Sequence, residues 1–544
     1  MDFNALADLL FPDITKTVED YEAMYPQRQL PEGAKVTRFA PSPTGFVHFG
    51  GLFPVLVGER LAHQSNGVFY LRIEDTDSKR EVEGAELDII NVFNKFGIRF
   101  DESIVKEGAY GPYRQSDRKE IYQTVAKKLV QDGKAYPCFC TPEEMSALRE
   151  QQEAEKVTPG YYGKYVKCRD LSLEQIKANI DSGKPYVLRF RSEGDSNNKI
   201  KFTDLVKGTM EITENDIDHI LLKSDGMPTY HLAHAVDDHF MRTTHVVRGE
   251  EWLSSLPYHV QLFGALGFKL PKYLHLSQLM RKEGDAKKKL SKRDKGAGIS
   301  YYISEGYPSE SVIEYVMTLL NSNFEEWRRA NPDADIDSFP FSIKKMSASG
   351  SLFDLVKLGD VSKNVISRMS AEQVYDRLTA WSEEFDKPFC DALTRNPQLT
   401  KDILAIGRGG NKPRKDLETW NDAKGYMGFF YPEYFVRQDK IEGDFAKEDI
   451  IACLDGFIGT YDENDEQSVW FDKVKAVGEK NGFCPNTKEY KQNPDGWKGH
   501  VGDVSMFIRV AVTGKLNSPD LYAVMKLLGR QETFDRITKF KETL

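Results

Sequence analysis

At 544 residues, with 40% hydrophobic and 29% charged side chains, the chain holds material for several packed units, because single cores stop growing near about 250–300 residues. No apolar run approaches the ~20 residues that cross a bilayer, and residues 1–30 carry acidic groups without a small-residue cleavage site after an apolar stretch, so a cytoplasmic protein is expected rather than a membrane or secreted one. Six scattered cysteines argue against a disulfide framework, and the net charge of -10 argues against wholesale wrapping of nucleic acid while leaving room for local basic grooves.

Residues 1–33 mix amphipathic stretches (NALADLLF, VEDYEAMY) with prolines, end in PQRQLPEG, and read as an appended helical arm with a linker. From Ala34 the pattern changes. AKVTRFA predicts a strand, a Pro/Gly loop follows, GLFPVLVGERLAHQS predicts an apolar helix and GVFYLRIED a second strand. This is a βαβ unit whose first loop lies at the C-terminal end of its strand, where open α/β sheets bind ligands. GAELDIINVFNKFG and RKEIYQTVAKKLVQDG predict helices, each closed by the glycine that helix C-termini favour. PYVLRFRS and IKFTDLVKGTMEI alternate as the strands of an insertion. HILLKSDGMPTYHLAHAVDDH and THVVRGEEWLSSLPYHVQLFGALG repeat the strand-loop-helix pattern. After Lys295 the chain reads as helical to its last residues, with SESVIEYVMTLLNSN, LFDLVKLGDV and SAEQVYDRLTAW as examples. The outline is an α/β front half and an all-α back half.

Two stretches carry candidate chemistry. In RFAPSPTGFVHFGG a strand, a Pro/Gly turn and a helix start near His48 would aim backbone N–H groups and a positive helix end at a phosphate. Gly50 and Gly51 would let an anionic ligand approach the backbone, and His48 could donate to a phosphoryl oxygen. The same residues also suit an ordinary turn with a structural histidine. In KEGDAKKKLSKRDKG, lysines and Arg293 cluster between glycines. Such a loop could close on a triphosphate and stabilise departing pyrophosphate, or could be a solvated charged loop.

Together, PSPTGFVHFGG and KLSKR resemble the HIGH and KMSKS signatures of class I aminoacyl-tRNA synthetases. RFAPSPTG, LRIEDTD, DGMPTYHLA, VDDH and VVRGEEW are similar to the glutamyl-tRNA synthetase family, over most of the chain from about Lys35. The resemblance implies an α/β Rossmann-type catalytic domain with an α+β insertion, followed by an all-α C-terminal anticodon-binding region. It divides the chain into the arm 1–33, catalytic halves 34–135 and 216–298, an acceptor-end-binding insertion 136–215, a stem-contact domain 299–370 and the anticodon-binding region 371–544.

It also implies roles. His48 would steady the ATP phosphates, with Lys292 and the nearby Lys289 holding the β- and γ-phosphates as pyrophosphate leaves. Arg38, with Arg248 as the second candidate, would pair with the glutamate side-chain carboxylate, since a guanidinium fork matches a carboxylate. Glu74 would accept the substrate ammonium, and Ala40, Ser42, Tyr230 and His234 would complete the pocket. Gly50, Gly51, Glu251 and Trp252 would shape the nucleotide site. Two departures stand out. Gly51 replaces the second histidine of the first signature, as in many glutamate enzymes of this type, and His234 stands where the family more often has asparagine.

His231, His234, Asp237, Asp238 and His239 do not converge on one helix face as metal ligands would. Cys138, Cys140 and Cys168 are the better zinc candidate, with Asp170 where relatives carry a fourth ligand; three buried thiols without metal are the alternative. Arg408, Lys412, Arg414 and Lys415, beside Trp420 as a stacking surface, are the candidate tRNA contacts. Expected partners are ATP with Mg²⁺, L-glutamate and a glutamate-accepting tRNA, with the protein a monomer and no membrane involved. The rivals are a glutaminyl enzyme of the same subclass, which tends to carry an acidic residue in place of Ser42, and a catalytically silent tRNA-binding scaffold.

Overall fold

The computed structural model describes residues 1–45, 47–77, 82–284, 286–290, 294–410 and 412–544. Two compact units emerge: Met1–Tyr301 with Val316–Asp354, and Tyr302–Tyr315 with Leu355–Leu544.

The first unit opens with α1 (Phe3–Leu10) and α2 (Val18–Met24), the latter started by a Thr17/Asp20 capping box. Strand β1 (Val36–Phe39), helix α3 (Leu52–His63) and strand β2 (Val68–Leu71) form the expected parallel βαβ unit, with Val36 opposite Val68 and Arg38 opposite Tyr70. Gly58 lets α3 lie close on the strands. A Cβ there would sit 3.0 Å from the Phe69 ring, and Thr37 Oγ1 donates to the Gly58 carbonyl at 2.7 Å.

Helices α4 (Ala85–Lys95) and α5 (Lys119–Gln131) follow. The insertion contains β3 (Ala135–Cys138), α6 (Pro142–Ala154), α7 (Leu173–Asp181), β4 (Val187–Phe190), the antiparallel hairpin β5 (Lys199–Asp204) and β6 (Gly208–Thr213), and β7 (Ile220–Leu222). Strands β3, β4 and β7 make one antiparallel sheet.

Helix α8 (Tyr230–Phe240) leads to β8 (His245–Gly249), α9 (Leu256–Leu266) and β9 (Lys272–Leu276), with β8 and β9 parallel. β8 lies alongside β1, linked by Thr244 N–H to the Val36 carbonyl at 3.0 Å, so the two parallel pairs share one layer. The lysine-rich stretch forms a hairpin of β10 (Leu279–Glu283) and β11 (Ala286–Lys289). Helices α10 (Ile299–Glu305) and α11 (Ser309–Leu320) carry the chain into residues Tyr302–Tyr315 of the second unit and back, and α12 (Phe324–Ala330) and β12 (Ser351–Leu352), which pairs in parallel with β10, belong to the first.

The first 33 residues are built into this unit's core. Leu6, Leu10, Tyr21 and Tyr25 are buried in one cluster with Tyr122, Val125, Leu129 and Phe240. Its linker-like end is pinned too: Arg28 donates twice to Glu102, at 2.7 and 2.8 Å, and lies over the Tyr110 ring. The amphipathic pattern was visible in sequence, but not the surface it covers.

Among the described residues of the second unit, the strands are the two-residue ones at Phe483–Cys484 and Gly499–His500, and the other regular elements are helices. Its core runs from Ile366 to Phe540, with α13 (Leu355–Arg368) and α14 (Ala371–Phe385) supplying Ile366, Val374 and Leu378. No helix among the described residues is long and apolar enough to cross a membrane.

Candidate active site

At the end of β1 the chain turns through Ala40–Gly45 to His48. His48 Nδ1 accepts from the Gly50 N–H at 3.0 Å, so the ring proton sits on Nε2, which becomes a donor. A Cβ on Gly50 would lie 3.0 Å from that Nδ1, which explains the glycine. This turn is stitched to the chain leaving the lysine-rich loop: Phe49 N–H donates to the Ala297 carbonyl at 2.7 Å, and Ile299 N–H to the Val47 carbonyl at 3.1 Å. The first signature stretch therefore meets the chain that leaves the second, about 250 residues on in sequence. Lys289, at the end of β11, is exposed, and Leu290 anchors the loop by burying its side chain. Lys292 lies outside the described residues.

Beside the turn, Arg38 and Glu74 are buried, while Ala40 is half-buried and Ser42 exposed. Arg38 already has partners: Nε lies 3.2 Å from Asp238 Oδ1, and Nη1 donates to the Val247 carbonyl. Asp238 also takes Arg72 Nη1 at 2.8 Å and Thr243 Oγ1 at 3.2 Å. Burial alone would raise the Asp238 pKa, but Arg38 and Arg72 outweigh it and hold the carboxyl well below its ordinary range. Glu74 meets Arg72 Nη2 at 3.1 Å, yet burial still pushes its pKa up.

His234 is fixed between Asp238, 2.7 Å from its Nδ1, and the Tyr273 hydroxyl, 2.8 Å from its Nε2; burial pulls its pKa down to about 3. Asp237 is consumed by Arg118, Gln115 and Tyr122. His234, Asp237 and Asp238 thus serve this polar core, while His231 pairs with His259 and His239 with Glu22; among the described residues the metal-competent grouping is elsewhere.

Tyr230 stacks on Trp252 at 4.1 Å between ring centroids, forming an aromatic wall, and Glu251 is exposed next to it. Arg248 is buried in a different way from Arg38. Its Nε donates to His275 Nε2 at 2.9 Å, its Nη1 lies 3.3 Å from His259 Nδ1, and its buried Nη2 has no hydrogen-bond partner. Among the described residues it makes no ion pair with a carboxylate, so its charge is presented to the site. Arg72, Asp238, His259, His275 and Tyr273 escaped the sequence reading as site residues: the first two lie in the motifs LRIEDTD and VDDH but show their pairing only in the fold, and the other three lie outside any motif.

In the insertion, Cys138, Cys140 and Cys168 place their sulfurs within 4.8 Å of one another, with Cys140 and Cys168 3.7 Å apart. Bonds of about 2.3 Å at tetrahedral angles would put sulfurs roughly 3.8 Å apart, so the three fit a zinc ion. The neighbouring thiols of Cys140 and Cys168 draw the Cys138 pKa far down. Asp170 does not join them, being exposed and paired with Arg191. The buried Tyr161 does: its hydroxyl is 3.4 Å from Cys140 Sγ.

In the second unit, Lys412 and Lys415 are exposed, whereas Arg414 pairs with Asp416. Arg408 turns inward to the Leu404 and Ile366 carbonyls, and burial lowers its pKa. Trp420 is 5% exposed within the core, which corrects its reading as a stacking surface: its indole is spent on packing.

Residues 35–347 match the family model of class I tRNA synthetases (E and Q), catalytic domain, and residues 498–541 match an anticodon binding domain. A glutamate–tRNA ligase of Acetivibrio thermocellus is 49% identical, the match covering 99% of this chain and 100% of that one; one from Sorangium cellulosum is 44% identical over 98% of this chain and 100% of its own. Among solved structures, a glutamate tRNA ligase from Elizabethkingia meningosepticum in complex with its amino acid superposes with a TM-score of 0.75 at 28% identity, covering 94% of this chain and 99% of that one. With the catalytic-domain match spanning more than half of the chain and such relatives spanning nearly all of it, the chain belongs to the glutamate–tRNA ligases, class I tRNA synthetases of the glutamate and glutamine type.

Proposed function

We propose that this chain joins L-glutamate to tRNA at the expense of ATP, through a glutamyl-adenylate. The observation that carries the reading is the main-chain pairing of the His48 turn with residues 297–299, the chain that follows the lysine-rich loop, which supports an imidazole and lysines acting on one nucleotide. A glutamate α-carboxylate oxygen attacks the α-phosphorus of ATP and pyrophosphate leaves; a ribose hydroxyl of the terminal adenosine of tRNA then takes the glutamyl group and AMP leaves. His48 Nε2–H, Lys289 and Lys292 donate to the phosphates as charge builds on them. Gly50 and Gly51 admit the nucleotide, with Glu251 and Trp252 at its edge. Mg²⁺, bound with the nucleotide, would supply neutralisation of the phosphate charge.

Arg248 is the main receptor of the side-chain carboxylate and Arg38, shared with Asp238, the secondary one. Glu74 takes the ammonium. Ala40, Ser42 and Tyr230 line the pocket, and His234 holds its wall. A carboxamide would leave Arg248 without a counter-charge, which favours glutamate over glutamine. Residues 136–215 are taken to bind the acceptor end, with zinc on Cys138, Cys140, Cys168 and Tyr161 stiffening the knob. Residues 299–370 are taken to meet the stem and 371–544, with Lys412, Lys415, Arg408 and Arg414, to read the anticodon arm. The protein acts as a cytoplasmic monomer.

The test is pyrophosphate–ATP exchange with glutamate or glutamine, each with and without tRNA. Exchange with glutamate that appears when tRNA is added supports the reading. Exchange driven by glutamine alone favours the sister enzyme, and none under any condition in a folded, tRNA-binding protein leaves a scaffold.

A further inference from the structure

We propose that His275 and His259 are positioning residues that aim the Arg248 guanidinium at the substrate carboxylate without neutralising it, and that Asp204 and His231 set their tautomers. The inference rests on the reading of Arg248 as the carboxylate receptor.

Buried arginines in this unit ordinarily carry a carboxylate: Arg38 and Arg72 share Asp238, and Arg118 has Asp237. Arg248, 5% exposed, has two imidazoles instead, and its guanidinium lies 4.7 Å from the Tyr273 ring centroid. A guanidinium only donates, so each facing imidazole nitrogen must be a bare lone pair. His275 therefore carries its proton on Nδ1 and His259 on Nε2.

The outer partners fit both assignments. His275 Nδ1 lies 2.7 Å from Asp204 Oδ2, and His259 Nε2 lies 2.9 Å from His231 Nδ1. Asp204 is itself anchored by the Val206 and Lys207 N–H groups at 2.8 Å, at the end of β5. It is one residue removed from Arg248, so its charge fixes a tautomer rather than cancelling the guanidinium. A carboxylate in place of either histidine would hold Arg248 as firmly, yet would compete with the ligand for its charge. Two neutral acceptors give orientation and leave Nη2, buried and without a partner, for the substrate.

The consequence is specific. In Asp204→Asn an amide N–H can face His275 Nδ1, which moves the ring proton to Nε2 and sets donor against donor at Arg248 Nε. His275→Leu removes the acceptor, whereas His275→Gln can replace it with an amide oxygen. The experiment measures kcat and KM for glutamate and for ATP by pyrophosphate exchange with tRNA present, in Asp204→Asn, His275→Leu, His275→Gln and Arg248→Lys, each checked for folding by far-UV circular dichroism.

The expected result is a KM for glutamate raised about tenfold in Asp204→Asn and His275→Leu, with kcat and the ATP KM within about twofold and His275→Gln near the parent. If Arg248→Lys raises the glutamate KM while Asp204→Asn does not, the positioning role is overturned and Arg248 keeps its assignment. If Arg248→Lys leaves that KM unchanged, the reading of Arg248 itself is overturned. Equal losses in glutamate KM, ATP KM and kcat, or a His275→Gln as poor as His275→Leu, would make the histidines merely structural. Should His275→Leu not fold, the near-isosteric Asp204→Asn decides alone.

Discussion

Arg72 Nη1 and Asp238 Oδ1 lie 2.8 Å apart with both side chains withdrawn from solvent. Because Arg38 draws on the same carboxylate, Asp238→Asn leaves buried Arg38 without a carboxylate partner among the described residues and takes from Arg72 one of its partners, Glu74 remaining. Breaking such a site is expected to cost about 3–5 kcal/mol. Urea unfolding followed by tryptophan fluorescence should show the transition of the first unit moving to lower denaturant, while that of the second unit stays in place.

A second prediction concerns acid. Burial lowers the pKa of His219, His231 and His245 to about 4 and of His234 to about 3, and lowers His259 and His275 as well. Unfolded histidine takes its proton near 6.5, so between about pH 6.5 and 4 the unfolded chain binds more protons than the native one. Stability therefore falls as pH drops through that window. His63, raised by Asp101, works the other way and only softens the trend. Thermal midpoints measured from pH 7.5 to 4.5 should decline steadily, and the decline should be shallower in His245→Asn.

His48 links nucleotide chemistry to a local cap. His48→Ala should slow pyrophosphate exchange by about 10²–10³ through loss of a transition-state donor. The lost cap on Gly50 N–H should cost only about 1 kcal/mol. Gly50→Ala reaches the same ring from the other side, since its Cβ would press on Nδ1, and exchange should fall without loss of fold.

For the cysteine cluster, elemental analysis of protein purified without chelator should give about one zinc per chain, and Cys168→Ser should lose it. Tyr161→Phe should retain the metal after dialysis but surrender it to a chelator faster than the parent, since three sulfurs then hold it alone.

Much of the site was legible where its chemistry is written in adjacent residues. The turn of His48 with Gly50 and Gly51 and the lysine-rich loop were singled out that way, Arg248, Glu251 and Trp252 came from the resemblance, and the βαβ unit around α3, read from alternation, is present. What escaped is pairing across long separations. Arg38 and Asp238 are 200 residues apart, Arg72 and Asp238 166, and His275 and Asp204 71. Periodicity and motif spacing contain no term for such partners. Trp420 misled for a related reason: a tryptophan beside cations reads alike whether it faces solvent or, as here, fills a core. Tyr161, whose hydroxyl lies 3.4 Å from Cys140 Sγ, went unnoticed because a phenol gives no signal beside cysteines in sequence.

The burial of α1 and α2 bears on how the chain is made. Leu6, Leu10, Tyr21 and Tyr25 leave the ribosome before Tyr122, Val125, Leu129 and Phe240, the residues that cover them. Their apolar faces must therefore wait uncovered for about a hundred residues until α5 is translated, and the Tyr21 and Tyr25 rings gain Phe240 only when the end of α8 emerges, about a hundred residues later. Chaperone capture of the nascent chain should be strongest across that interval.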